Sequence, residues 1–332
     1  MTQRIKIGTH NGLFHADDVF SVAIATEFFV ETRGDDVVID VVRSRDEEKL
    51  AECNMVFDVG GISDGNKFFD HHQRDFQETR DGVPYASAGL AWRAMGKVLC
   101  GGDQEVADAV DRDLLQAVDA ADNGMALFEG GKPVFEHARS VSVSAAIAAF
   151  NPGWQNQSKA LFDSQFEKAV QAARSVLKGF VTKALGSKQA RRLFSDAEQA
   201  RRERGDHVVI LDKFCPWTEH VDRLDADAYY VVFPGSSGGW MLQCIPPKAG
   251  SFEKRVPLPE AWAGMREEDL VQTSGISDAT FCHPGRFIAG AKSRDGALSM
   301  AKAAFKQQRQ DEQLEAANAL AETMKSLSDQ AG

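Results

Sequence analysis

Between His10 and Asp18 the chain places His10, His15, Asp17 and Asp18, two imidazoles and two carboxylates, directly after the apolar run Ile5 to Gly8. Imidazole and carboxylate together suit Mn²⁺, Fe²⁺ or Zn²⁺, and Gly8 and Gly12 let the backbone turn closely around an ion. Asp17 and Asp18 also stand where a helix should begin, so capping that helix is the competing role for them. A third carboxylate, Asp58, ends the apolar run Met55 to Phe57 and precedes Val59-Gly60-Gly61. Burying it there is costly unless its charge is paired, and a metal would pair it; a tight turn at the glycines is the alternative. Asp70-His71-His72 follows the aromatic pair Phe68-Phe69, and Asp119 and Asp122 lie three apart at a helix end, where acids oppose the helix dipole. Each group alone has a structural explanation. Their succession at strand and helix ends argues for a site that binds divalent cations.

The elements that would position these groups alternate. Ile5 to Gly8, Val37 to Val42 and Met55 to Val59 read as buried strands, and Ala16 to Val30 reads as a helix between the first two. Such alternation predicts an α/β fold with a parallel sheet, in which ligands bind beyond the carboxyl ends of the strands. Helices should dominate from Ser87 to Arg204, with breaks at Gly101-Gly102, Asn123-Gly124, Gly130-Gly131-Lys132-Pro133 and Asn151-Pro152-Gly153. Strands are expected again at Val208 to Leu211, Tyr229 to Phe233, Met241 to Ile245 and Thr280 to His283, before a final alanine-rich helix from Asp295. The expected organisation is a catalytic domain over residues 1–157, a helical connector over 158–205, and a smaller α+β domain over 206–332.

The chain has 332 residues, 43% of them hydrophobic, which is enough for two domains. With 49 acidic against 38 basic residues its net charge is -11, which argues against gripping long nucleic acid by bulk charge. An anionic substrate must therefore meet a local positive site, which divalent ions can supply. Five dispersed cysteines without a CxxC pair, and the lack of an apolar leader or span, lead us to expect a cytoplasmic protein in a reducing compartment with no membrane contact.

The order HxxxxHxDD, DVGG, DHHQ and DAxDNG resembles the DHH phosphoesterase superfamily, and within it the Myg family of metal-dependent exonucleases. The likeness extends along most of the chain, including Asn151-Pro152-Gly153-Trp154 and Cys215 to His220. It implies an N-terminal DHH-type lobe and two divalent ions, Mn²⁺ before Mg²⁺, Fe²⁺ or Zn²⁺. His10, His15 and Asp17 would be ligands, Asp58 a bridge between the ions, and His71 with Asp122 the remaining ligands of the second ion; Asp119 competes with Asp122 for that last place. Asp70 would orient His71, and His72 would face the substrate phosphate, so that His72, Asp70 and Asp58 form the catalytic set. His15 stands where the wider superfamily more usually has aspartate. Phe287 to Lys292 resembles a degraded glycine-rich substrate motif, and His283, Arg286, Lys292 and Arg294 around it would bind phosphate, unless they are ordinary surface charges.

The implied activity is 3′-to-5′ exonuclease action on RNA or short oligonucleotides. Trp154, Trp217, Phe252 and Trp262 could stack bases or belong to the core, and the arginine pairs Arg191-Arg192 and Arg201-Arg202 could hold a strand or simply face solvent. Hydrolysis of a small phosphate compound such as pyrophosphate, or a noncatalytic metal-stabilised binding role, are the rival functions. The oligomeric state stays open, a homodimer included.

Overall fold

The computed structural model describes residues 3–34, 36–127 and 140–330, with side chains to 323. It divides into two compact units, Met1–Gly186 and Ser187–Gly332. The expected break at Gly130 to Pro133 lies outside the described residues.

The first unit runs β1 (Gln3–Thr9), α1 (Ala16–Arg33), β2 (Val37–Arg43), α2 (Glu47–Ala51), β3 (Met55–Phe57), β4 (Phe68–Phe69), β5 (Thr79–Arg80), β6 (Val83–Pro84), α3 (Ser87–Leu99), α4 (Gln104–Val110), α5 (Gln116–Asp122) and α6 (Val143–Ala148). The helix α7 (Lys159–Arg204) begins in this unit and ends in the next. Strands β2-β1-β3-β4 form a parallel sheet, as the α/β alternation predicts, and β5-β6 is a small separate hairpin. All four strands of the sheet end on the same edge. That edge therefore receives His10 after β1, Arg45 after β2, Asp58 after β3 and Asp70-His71-His72 after β4.

Helix α1 lies in the middle of the unit and is buried on nearly every side from Ala16 to Ala25, so it carries small and apolar residues all round instead of an amphipathic stripe. Its polar members are tied down: Ser21 Oγ donates to Asp17 O at 2.7 Å, and Glu27 accepts from Arg174 at 2.6 Å. Between α4 and α5, Asp111–Leu115 forms a π-helical turn, a rare widening that rotates α5 relative to α4.

The metal-motif loop between β1 and α1 is held from behind. Phe14 is buried edge-on against Phe166 of α7, ring centroids 5.3 Å apart, and the Arg43 guanidinium stacks on Phe166 at 4.4 Å while its Nη2 donates to Gly12 O at 2.8 Å. Asn151 adds two bonds to the loop backbone, accepting from Phe14 N at 3.1 Å and donating to Phe14 O at 2.8 Å. Loop shape thus depends on groups far away in the chain.

In the second unit, β7 (Val208–Ile210), β8 (Tyr230–Pro234), β9 (Trp240–Cys244), α8 (Glu267–Ser274), β10 (Ala279–Cys282), β11 (Ile288–Ala291) and α9 (Arg294–Gln330) follow. The sheet order is β10-β11-β9-β8-β7, antiparallel except for β7 beside β8. Ala297, Met300, Ala301 and Ala304 of α9 join one core, and Ala190, Phe194 and Trp217 join another. Arg201 is buried in a network with Glu198, Asp225 and Asp227, so it braces this unit and is not available to grip a strand. The five cysteines are free and buried, and no described helix is long and apolar enough to cross a membrane.

Replacing Phe166 by alanine removes the ring that supports both Phe14 and Arg43, and large-to-small core changes of this kind cost about 3–5 kcal/mol. Denaturant unfolding should show that loss; a change below about 1 kcal/mol would mean the ring is not a support.

Candidate metal centre

At the carboxyl edge of the parallel sheet, loops and helix ends bring His10, His15, Asp17, Asp18, Asp58, His71, His72 and Asp122 together. His10 Nε2 lies 3.2 Å from Asp18 Oδ2 and 3.3 Å from Asp58 Oδ2. Its Nδ1 is 3.2 Å from the Asn11 carbonyl, which can only accept, so Nδ1 carries the proton and Nε2 is the nitrogen turned to the carboxylates. His71 Nε2 lies 3.4 Å from Asp58 Oδ1 and 3.2 Å from Asp122 Oδ2, while His15 Nδ1 is 4.0 Å from Asp122 Oδ1. Two sets of donor atoms are compact enough to hold a cation each: Asp58, His71 and His72, and His15, Asp17 and Asp122. The cluster opens on a cavity of about 680 Å³ lined by His10, His15, Arg45, Asp58, His72 and Asp122 among others.

Backbone geometry at Asp58 matches its place in the cluster. It adopts φ +56°, in the left-handed region that a non-glycine residue enters only when its surroundings compel it. Gly60 and Gly61 then take φ +103° and +67°, and Gly61 N–H reaches Asp70 Oδ2 at 2.6 Å. The DVGG turn thereby ties β3 to the DHH triplet of the neighbouring strand.

Several sequence expectations change here. Asp70 holds His72, with Oδ1 2.7 Å from His72 Nδ1 and 3.1 Å from its backbone N, so it orients His72 and not His71. Asp119 stands outside the cluster: Arg80 Nη1 donates to its Oδ2 at 2.8 Å and Gly89 N–H to its Oδ1 at 3.0 Å, and a Cβ on Gly89 would collide with it. Of the helix-end pair, Asp122 is the one that contacts His71 and His15. Asp18 takes the capping role, accepting from His15 N at 2.9 Å, and also pairs with His10.

In the second unit the expected phosphate group divides. His283 and Arg286 lie in the turn before β11, Lys292 and Arg294 beyond its other end, so these four residues form two pairs and not one cluster. The supposed glycine-rich motif is largely strand β11, and Gly290 is glycine because a Cβ there would press on Phe281 Cε1 at 2.6 Å. Of the four aromatics, Trp217 and Trp262 are core, whereas Trp154 and Phe252 are exposed. Sequence reasoning missed Arg45, which lines the cavity, and Asn151 and Arg80, whose roles depend on contacts with no local signature.

Electrostatics provide the test of whether a cation fits. Asp17 is fully buried with neither oxygen receiving a hydrogen bond, and burial, then the charges of Asp58, Asp122 and Asp18, drive its pKa well above the ordinary carboxylate range. Burial likewise raises Asp18 to about 7 despite His10. Burial opposes the charge of His71 too, yet its bonds to Asp122 and Asp58 raise it to about 10. Asp58 moves the other way: burial opposes its ionisation, but His10 and His71 hold its pKa below the ordinary value. Buried carboxylates that must take up protons for want of compensating charge, beside imidazoles with matching lone pairs, are a donor set that a divalent ion satisfies. The residues fit the group.

A parallel sheet that gathers two imidazole–carboxylate sets at its carboxyl edge defines the class, an α/β protein with a site of metal-binding type. Comparison with known proteins then gives the family. The model of the MYG1 exonuclease family, described as an uncharacterised protein family (UPF0160), matches residues 6–305. MYG1 exonuclease of Homo sapiens is 34% identical over 335 residues, covering 91% of this chain and 86% of that protein. MYG1 protein of Dictyostelium discoideum is 31% identical over 90% of this chain and 95% of its own length. The chain belongs to the MYG1 exonuclease family. The crystal structure of RecJ in complex with Mn²⁺ from Thermus thermophilus aligns over 91% of this chain and 51% of that one at 14% identity and a TM-score of 0.27, too distant a likeness to bear on the site.

Two measurements follow from this geometry. Arg80→Ala leaves Asp119 buried without its cation, which should cost about 3–5 kcal/mol in denaturant unfolding; a neutral result would mean Asp119 is neutral in the fold. The second concerns pH. Folded Asp17 and Asp18 have raised pKa values, as has His71, so the stability they contribute is present while they are protonated and is lost as pH rises through their folded values. For Asp18 the window runs from the ordinary value of about 3.9 up to about 7. Asp58 and Asp70, both lowered, lose their contribution only in acid below that window. The metal-free protein should therefore melt at a higher temperature at about pH 5.5 than at about pH 8.5, and excess Mn²⁺ should abolish or reverse the trend. Melting that rises with pH in chelator would contradict this assignment.

Proposed function

We propose that this chain is a metal-dependent phosphodiester hydrolase that removes nucleotides from RNA or short oligonucleotides in the 3′-to-5′ direction. The observation that carries the hydrolase reading is the buried Asp17, whose oxygens receive no hydrogen bond and whose charge meets those of Asp58 and Asp122, two residues that line the cavity to which His72 is exposed. The choice of nucleic acid and polarity rests on the family resemblance, and exonuclease is the name its mammalian relatives carry. His10, His15, Asp17, Asp58, His71 and Asp122 would hold two divalent ions, Mn²⁺ foremost. Such ions supply an ionised water near neutral pH and offset charge on the phosphorus-bound oxygens.

The chain's own residues then do three things. Asn11 and Asp18 fix the ring of His10, so that one nitrogen faces Asp58 in a defined tautomer. Asp70 holds His72 through Nδ1 and raises its pKa, which favours the charged ring whose Nε2 can donate to a phosphate oxygen or the leaving oxygen. Asp17 and Asp18 are fully buried, so little water screens the carboxylates and their interactions act at short range. An acidic surface disfavours long polyanions, in keeping with short substrates.

Release of mononucleotides from a short end-labelled RNA, with Mn²⁺, Mg²⁺ or chelator, tests the whole reading. Metal-dependent release should fall by about 10²-fold or more in Asp58→Ala, and in His72→Ala turnover should fall by about 10²-fold while Mn²⁺ binding persists. Intact RNA under every metal would transfer the function to small phosphate compounds or to a noncatalytic role.

A further inference from the structure

On the other side of His15 and Asp122 lies a second cavity, of about 350 Å³, formed by the start of α1 and by α5 and α6. Val118 and Ala121 of α5 face Ser144, Ala145 and Ala148 of α6 across it. Spacings of three and four residues put each set on one helical face. Four of its nine lining residues are alanine, and Ala121, Ala145 and Ala148 are exposed, so the cavity is an open groove walled largely by small side chains. No lysine or arginine lines it among the described residues, in contrast to the larger cavity with its Arg45. Ser144 Oγ is buried in this wall without a hydrogen-bond partner, and Asp17, also in the wall, is fully buried with neither carboxylate oxygen receiving a hydrogen bond. Unpaired buried polar atoms are costly, and a hydroxyl left over beside apolar walls is a group kept for a ligand with a polar edge.

We propose that this cavity receives the base of the nucleotide being removed. The inference rests on the phosphodiesterase reading and adds a specificity pocket to it. A nucleobase has flat faces that suit Val118 and the alanines and an edge of donors and acceptors that suits Ser144. Because His15 and Asp122 line both cavities, a phosphate among the histidines of the larger one and a base in the smaller one would meet at those two residues, where the sugar that joins them would lie.

The test compares two short RNAs that differ only in the terminal residue to be released, one carrying its base and one with a base-free sugar at that place, both with Mn²⁺. The unaltered protein should release the base-bearing residue about tenfold faster or more. Ala145→Leu and Ala148→Leu, which fill the cavity, should bring the ratio to about one, and Ser144→Ala, which scarcely changes its volume, should lower it several-fold. Since each variant is judged by a ratio, partial loss of folded protein does not disturb the result, and Ser144→Ala serves if the leucine variants do not fold. Equal rates for the two RNAs with the unaltered protein, or a ratio unchanged in the variants, would overturn the pocket while leaving the hydrolase reading in place. Failure to hydrolyse either RNA would overturn both.

Discussion

Carboxylates crowded beneath protein repel one another and lose their hydration, and the first unit is arranged around that conflict. Asp17, Asp18, Asp58 and Asp122 meet where water is scarce, and each uncompensated charge there is expensive. The fold answers in layers. His10 and His71 stand between carboxylates and hold protons more firmly than a free imidazole would. Arg43, buried against Phe166, adds positive charge behind Asp18. Neither layer reaches Asp17, whose oxygens stay without a donor. A cluster compensated everywhere would be a structural ion-pair network; this one leaves both oxygens of Asp17 and one oxygen each of Asp18 and Asp58 without a donor, which suits a cation.

The same conflict accounts for the glycines and the left-handed residue. Asp58 can face both His10 and His71 only because the chain reverses at once after β3, which costs it a φ of +56° and demands Gly60 and Gly61 after it. Strain at a buried carboxylate of this sort is held in place by its neighbours, here the Gly61 bond to Asp70 and the parallel pairing of β3 with β4.

What the sequence made legible was whatever is local. The alternation of strand, helix and strand was visible because parallel strands covered on both faces are apolar runs, and β1, α1, β2 and β3 fall where those runs are. His10, Asp58, His71 and Asp122 were visible because each stands beside an element end. Partnership was not. Asp119 and Asp122 share one helical face by spacing, but Arg80, on a two-residue strand with no apolar signature, claims one of them, and nothing near residue 119 announces it. Asp70 precedes His71 in the chain, yet a carboxylate more easily reaches the residue two ahead, where a turn brings backbone N and ring Nδ1 to one oxygen. In the second unit, closeness in sequence misled for the opposite reason: a four-residue strand separates its ends by about 13 Å, so Arg286 and Lys292 are neighbours only on paper.

The net charge of -11 gives the site an order of events. An anion approaching the larger cavity meets Asp58, Asp70 and Asp122 at its wall, with Arg45 as the one arginine or lysine among the lining residues described. Repulsion there falls off only over a distance comparable to the screening length of about 8 Å in physiological salt. On the hydrolase reading, cations entering first reverse the sign of the cavity floor, while an anion entering first meets the carboxylates with Arg45 and the histidines alone to offset them. On the proposed reading, the buried carboxylates that destabilise the metal-free cluster are the same groups that make substrate binding conditional on metal, so the electrostatic cost in the fold and the selectivity of the site have one origin.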